Sequence, residues 1–347
     1  MRFFHLLPVL LVPLAVALDA AHASPALVFL ASALAIVPLA SLMGLGTEEL
    51  AARTGPTFGG LMNATLGNAA ELIIGIFALK AGLIELVKAS LTGSIIGNLL
   101  LILGLSLFVG GLRHQTQSFN RQAAGMNVAL LALATVGLVV PALFDFTHPR
   151  GDAVALERLS ETVAVVLLAV YLLSLLFSLK THRELFRPEG AHEPPKWSMR
   201  RAVVTLVAAT ALVAWLSEIL VGVTEETIAT LGVSEFFLGV IIIPLVGNAA
   251  EHGAAVMMAA KNKMDLSFSI AVGSSTQVAL FVAPLLVFVS LLFGNPMDLA
   301  FTAFEVAAVA LGVGVVTVIS LDGESNWLEG AQLLAVYGIL AAAFFFF

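Results

Sequence analysis

The chain has 347 residues, of which 60% are hydrophobic and 11% carry a formal charge. Soluble proteins average about 25% charged residues, so this chain has too few to coat a water-facing exterior, and a mean hydropathy of +1.04 agrees. A net charge of −7 argues against nucleic acid as a partner, and the lack of cysteine removes disulfides, thiolate metal sites and cysteine nucleophiles.

A spanning helix takes about 20 largely apolar residues. Eleven such runs are expected, near 3–20, 25–43, 59–79, 87–109, 124–145, 158–179, 201–221, 235–258, 268–292, 300–320 and 329–347. Period-two alternation is absent, so the fold class is all-α and polytopic rather than a β-barrel. In the first run, Arg2 and the Ala21-His22-Ala23 that precedes Ser24 resemble a signal peptide, whereas Pro8 and Pro13 suit a short membrane helix.

Lysine and arginine collect on alternate loops. The N-terminus and even loops hold 12 of the 16, namely Arg2, Arg53, Arg113, Arg121, Lys180, Arg183, Arg187, Lys196, Arg200, Arg201, Lys261 and Lys263, while the odd loops hold Lys80, Lys88, Arg150 and Arg158. By the positive-inside rule the N-terminus is cytoplasmic and the C-terminus outside. Residues 181–199, with Pro188, Glu189, Gly190 and Pro194-Pro195, read as a cytoplasmic linker.

The sequence repeats itself. Gly67-Asn68-Ala69-Ala70-Glu71 recurs unchanged 180 residues later as Gly247-Asn248-Ala249-Ala250-Glu251, and at the same offset Glu85 matches Asp265 and Gly93-Ser94 matches Gly273-Ser274. Thr47-Glu48-Glu49 is echoed by Thr224-Glu225-Glu226. The chain therefore divides into an N-terminal helix (1–24), a first repeat (25–180), the linker and a second repeat (200–347). An odd number of spans per repeat inverts the second copy, an architecture recurrent among secondary transporters with interrupted helices near the midplane.

Glu71 and Glu251 stand in apolar surroundings with no lysine or arginine in either motif, so each carboxylate needs a proton or a cation. Asn68 and Glu71 are three apart, as are Asn248 and Glu251, which puts each pair on one helical face. Gly67 and Gly247 favour a local break that frees backbone carbonyls, and oxygen donors of this kind suit a hard cation such as calcium. His252 adjoins Glu251 on another face and reads as packing or a proton relay before a ligand. Ser94 and Asn98, and their counterparts Ser274 and Gln277, line the following spans as a polar or water-holding set. Glu48 and Glu225 sit at span ends, where solvated carboxylates are ordinary. Neither a nucleotide-binding glycine loop nor a nucleophile–base pair is present, so the reading is not an enzyme, and no cofactor is called for.

These motifs, with Pro38-Leu39-Ala40, Ala89 through Ser94, Pro244 through His252 and Tyr171 through His182, resemble the calcium/proton exchanger (CAX) family of the calcium/cation antiporter superfamily. The resemblance covers nearly the whole chain. It implies a ten-helix exchanger core after a first helix, with Glu71 and Glu251 as the principal acidic ligands. Asn68, Asn248, Ser94, Ser274 and Gln277 would complete the shell. Gly97 departs from a family position often held by a hydroxyl residue, which implies a wetter or weaker shell there. The central loop lacks the acidic stretch of some eukaryotic members, which points to a prokaryotic plasma membrane.

Two close buried carboxylates cannot both stay ionised when empty, so a divalent cation and protons would compete for them. Calcium and protons are then the substrates, exchanged by alternating access. The rivals are sodium coupling and, in another class, a passive cation channel. Oligomeric state is not specified by the sequence.

Overall fold

The computed structural model describes residues 7–54, 56–148, 153–186 and 195–346; Arg2, Arg150, Arg187, Pro188, Glu189, Gly190 and Pro194 lie outside the described residues. Those described form helices α1 (Leu7–Ala20), α2 (Pro25–Thr54), α3 (Pro56–Leu66), α4 (Ala69–Lys80), α5 (Ile84–Arg113), α6 (Arg121–Thr147) and α7 (Ala153–Thr181). The second half supplies α8 (Met199–Gly222), α9 (Thr224–Leu231), α10 (Glu235–Gly247), α11 (Ala249–Ala260), α12 (Met264–Leu292), α13 (Ala303–Ile319) and α14 (Trp327–Phe346). Two short strands, β1 (Gln117–Ser118) and β2 (Glu324–Ser325), pair antiparallel.

The chain is all-α and polytopic, but its count of long spans is lower than the eleven expected. Among the described residues seven helices are long and apolar enough to cross a membrane, or nine if the bent pairs α3/α4 (42°) and α9/α10 (116°) each count as one. Helix α13 has 17 residues, or about 26 Å at the helical rise, against a hydrocarbon layer of about 30 Å. The run expected at 235–258 is interrupted: α10 ends at Gly247 and α11 starts at Ala249.

The 180-residue offset seen in the sequence recurs in the backbone. Asn68 (φ −96°, ψ 24°) and Asn248 (φ −93°, ψ 2°) stand at matching breaks, and α4 and α11 follow with 12 residues each. Both helices end in a left-handed residue, Gly82 (φ 82°) and Asn262 (φ 59°), types that adopt this conformation at little steric cost. Helices α5 and α12 then begin at Ile84 and Met264. Each contains a π-helical stretch: Gly97–Ile102 includes Asn98, and Val278–Val282 follows directly on Gln277. Such stretches are frequent at functional sites.

Packing crosses between the halves. Helix α2 lies along α8, α4 packs on the C-terminal part of α12, and α11 packs on the C-terminal part of α5. The two motif helices are thereby drawn to the centre, amid fully buried Ile96, Leu99, Leu100, Val278 and Leu280. Helix α1 belongs to the same body, with Val12 and Ala15 in the core.

Candidate cation site between the repeats

Glu71 and Glu251 occupy the first turns of α4 and α11, where the positive end of the helix dipole favours an anion. Each reaches across to the glycine of the other motif. A Cβ built on Gly247 would stand 3.1 Å from Glu71 Cγ, and one on Gly67 would stand 3.7 Å from Glu251 Oε1. Gly247 therefore does more than permit a helix break: it leaves room for the close approach of Glu71, whereas at Gly67 the contact with Glu251 would be an ordinary one. The two carboxyl groups are near enough to repel when both are ionised.

Burial differs from the expectation in one respect. Glu71, Glu251, Gln277 and His252 are part-exposed, whereas Asn68 and Asn248 are each only 1% exposed. The amides are sealed and the acids border accessible space. The shared-face argument also needs correction: Asn68 and Asn248 stand in the breaks, capping α4 and α11, so they precede the helical face that carries each glutamate.

A chain of hydrogen bonds alternates between the halves. His252 Nε2 meets Asn98 Oδ1 at 3.2 Å, and Asn98 Nδ2 donates to Ser274 Oγ at 3.2 Å. Ser274 Oγ donates to Asn68 Oδ1 at 3.2 Å, and Asn68 Nδ2 donates to Gln277 Oε1 at 2.6 Å. Since Asn98 offers an acceptor, His252 carries its proton on Nε2. The second asparagine has fewer partners. Asn248 Nδ2 donates to Ser94 Oγ (3.2 Å) and to the Pro244 carbonyl (3.1 Å), while its Oδ1, like Glu251 Oε2, is buried with no hydrogen-bond partner in the protein.

The structure thus brings Glu71, Glu251, Gly247, Asn68, Asn248, Ser94, Asn98, Ser274, Gln277 and His252 together. Glu48 and Glu225 stay exposed, and among the described residues no hydrogen bond or ion pair joins either to the central glutamates. Adjacent Glu49 is occupied elsewhere, accepting from the Trp197 and Lys196 amides (2.9 and 3.2 Å). Among the described residues no group of three or more His, Asp or Glu gathers to hold a metal. A cation at the centre would draw on two carboxylates plus amide, hydroxyl and water oxygens, a donor set suited to calcium rather than zinc.

Sequence reasoning missed a second buried charge. Lys88 lies inside α5, 4% exposed, paired with Asp298 (2.8 Å) and Glu85 (3.3 Å), and so is not the loop residue that the charge pattern predicts. Glu305, fully buried at the start of α13, accepts from Thr302 in a capping box and from Thr92 of α5 (3.1 Å). The signal available was the sparse charge itself: Lys88 lies in an apolar run with Glu85 three residues before it.

The flanks of the site are unequal. A Cβ on Gly93 of α5 would collide with the Val240 carbonyl of α10 and stand 2.6 Å from the Pro244 ring. At the matching Gly273 of α12 it would meet no atom within 4 Å. Gly93, Ser94 and Gly97 are buried, whereas Gly273 and Gln277 are part-exposed. Helix α3, the counterpart of α10, is held instead on α2 and α7, where Tyr171 donates to the Ala64 carbonyl at 3.0 Å.

Comparison with known proteins fits this geometry. Residues 24–180 and 201–346 match the family described as sodium/calcium exchanger protein. The chain belongs to that family. Among its relatives it is 49% identical to a Ca(2+)/H(+) antiporter of Synechocystis sp., covering 92% of this chain and 91% of the relative. It is 47% identical to the Ca(2+)/H(+) antiporter ChaA of Bacillus subtilis, covering 99% of both. These relatives bear out the resemblance to the calcium/proton exchanger branch. The solved structure of native YfkE superposes with a TM-score of 0.88 at 43% identity, covering 99% of this chain and all of that one. The H+/Ca2+ exchanger CAX, at 18% identity and a TM-score of 0.73, shares the fold.

Proposed function

We propose that this family member is a secondary transporter that exchanges calcium for protons across a membrane. The observation that carries the reading is the reciprocal pair at the centre, with Glu71 against Gly247 and Glu251 against Gly67 and no lysine or arginine in either motif. Two carboxylates side by side in a low-dielectric setting need their charge neutralised. One divalent cation does this, and so do two protons, so each expels the other. Relatives named Ca(2+)/H(+) antiporter at 45–49% identity over 92–99% of this chain support calcium and protons as the substrates.

Competition becomes coupled exchange when the site opens to one side at a time. The two halves, 25–180 and 200–347, act as inverted five-helix repeats, a reading supported by the matching breaks, left-handed turns and π-helical stretches. The α5–α10 flank is shut and the α3–α12 flank open. Helix α3 follows Arg53 and α12 follows Lys261 and Lys263, so by the charge bias the open flank faces the cytoplasm. Protons entering from outside would then drive calcium outward from a bacterial plasma membrane.

Proteoliposome flux tests this. Calcium uptake into vesicles should follow an imposed pH gradient, ignore a sodium gradient, and vanish in Glu71→Gln and Glu251→Gln. Uptake that needs sodium, or that survives both substitutions, would overturn the reading.

A further inference from the structure

The repeat pairs Asn68 with Asn248, Ser94 with Ser274, and Gly97 with Gln277, each 180 residues apart. The first two pairs keep the donor type, and the third does not. Around Asn68 both ends of the amide are engaged, Oδ1 by Ser274 and Nδ2 by Gln277. Around Asn248 there is no counterpart to Gln277. Its Oδ1 is left without a protein partner although the residue is only 1% exposed, and Oε2 of Glu251, three residues on, likewise has none. The orientation of Asn248 is not interchangeable: the Pro244 carbonyl can only accept, so it must face Nδ2, which leaves the oxygen as the free end.

Gly97 supplies a second, independent observation. It stands one turn beyond Ser94 on the same face of α5, as Gln277 stands beyond Ser274 on α12. It is buried, yet a Cβ built on it meets no atom within 4 Å. The room that Gln277 fills in one half is open in the other. Ser94 Oγ, one turn back, accepts from Asn248 and retains its own hydrogen to donate.

Resting on the calcium-transport reading, we propose that the calcium seat is one-sided: the cation is taken by Asn248 Oδ1 and Glu251 Oε2 together with Glu71, and a water molecule seated beside Gly97 completes its shell, while Gln277 closes the matching arrangement at Asn68. The oxygen count requires such help. Calcium takes about six to eight oxygens. Two bidentate carboxylates and one amide carbonyl leave the shell short, and a water held by a hydroxyl and the ion meets the two-partner minimum for an ordered buried water. Gly97 is then a specificity-determining position, setting which half lends its amide to the cargo.

The experiment measures the half-saturating calcium concentration for pH-driven uptake by the full chain in proteoliposomes. Gly97→Gln should raise it about tenfold, because the added amide engages Asn248 and displaces the water, so the cation forfeits a ligand. Gly97→Ala, which the open room accommodates, should raise it about threefold, and Gly97→Ser, which restores an oxygen, should stay within about twofold of the parent chain. Gly314→Ala, at an exposed glycine with equal room, is the control and should change nothing. Melting temperature in detergent reports folding, and if Gly97→Gln fails to fold, the alanine and serine variants decide. Unchanged half-saturation in the folded Gly97 variants, with calcium uptake intact in the parent and lost in Glu71→Gln, overturns the one-sided seat and leaves the transport reading standing. A parent chain that takes up no calcium overturns both.

Discussion

Asn68 and Asn248 stand at equivalent breaks with nearly the same backbone angles, yet one amide is fully engaged and the other keeps a buried acceptor free. The difference originates outside both motifs. Gln277 is present on α12 and its counterpart on α5 is Gly97. Two identical pentapeptides therefore yield two unequal environments: the first-half amide is locked into a network that reaches His252, and the second-half amide is poised beside a carboxylate. A repeat fixes where donors stand, while the neighbours that are not repeated decide which of them remain available.

The largest effect should come from removing the feature the halves share. Glu71→Gln and Glu251→Gln each take away one of the two negative charges that would neutralise a divalent cation, and each should cut uptake by at least about a hundredfold. If one substitution were tolerated while the other abolished flux, the reciprocal arrangement of the two carboxylates would be wrong.

A second comparison follows the same offset. Lys88 on α5 corresponds to Phe268 on α12. Lys88 is held by Asp298, Glu85 and the Ala300 carbonyl (3.2 Å), whereas Phe268 stacks on Phe119 with ring centroids 4.7 Å apart. One end is fastened by charge and the other by aromatic stacking. Lys88→Ala should destabilise the protein by about 2 kcal/mol, less than a fully enclosed pair because Asp298 and Glu85 remain part-exposed. The loss should appear in the detergent melting temperature, and its shrinkage at high salt would separate the ionic end from the aromatic one. An unchanged melting temperature would mean that neither the ion pairs nor the buried stem of Lys88 contributes net stability.

Much of this is legible in the residues, for identifiable reasons. Apolar runs follow from the cost of exposing backbone in a bilayer, so the helices from α2 onward lie close to their expected positions. The break after Gly67 and Gly247 can be anticipated, because glycine lowers the cost of leaving the helix. The cross-approach of each glutamate to the other motif cannot, since it depends on how the halves dock. Nor can the exposure difference between Gly93 and Gly273, two identical residues at matching positions whose packing partners α10 and α3 lie differently. Asn98, a lesser candidate by sequence, becomes the link between His252 and Ser274 from within the π-helical stretch Gly97–Ile102. Lys88 escapes the sequence reading because charge counting assigns a lysine near a span end to the loop, although its carboxylate partners include one brought from far along the chain.

The comparison between the two asparagines can be sharpened directly. If Asn248 lends its carbonyl to the cargo and Asn68 is a positioning residue within the network, their alanine variants should differ in kind. Asn248→Ala should raise the half-saturating calcium about tenfold, with about 1 kcal/mol of stability lost through the Nδ2 bonds to Ser94 and the Pro244 carbonyl. Asn68→Ala removes the acceptor of the Ser274 hydroxyl and the donor to Gln277 Oε1, so about 1–3 kcal/mol of stability should go, with a smaller change in half-saturation. If calcium and protons compete as proposed, the flux deficit of Asn248→Ala at a fixed calcium concentration near the parent's half-saturation should widen as the pH on the binding side falls. Equal shifts in half-saturation for the two variants would make the seat symmetric.

The smallest expected effect concerns the flanks. The chain contains no cysteine, so a single introduced thiol can be read without background. Gly273→Cys faces open room beside α12, whereas Thr92→Cys would lie on α5 at a position 1% exposed. A hydrophilic thiol reagent should modify the first about fivefold faster than the second, because reaction requires access to the thiolate. The reagent should work from the cytoplasmic face, the side assigned to α3 by Arg53. Calcium at saturation should slow the reaction at Gly273→Cys if the open flank closes around its cargo, and leave Thr92→Cys unchanged. Faster modification from the opposite face would reverse the orientation drawn from the loop charges, while equal rates at the two positions would remove the distinction between a shut flank and an open one.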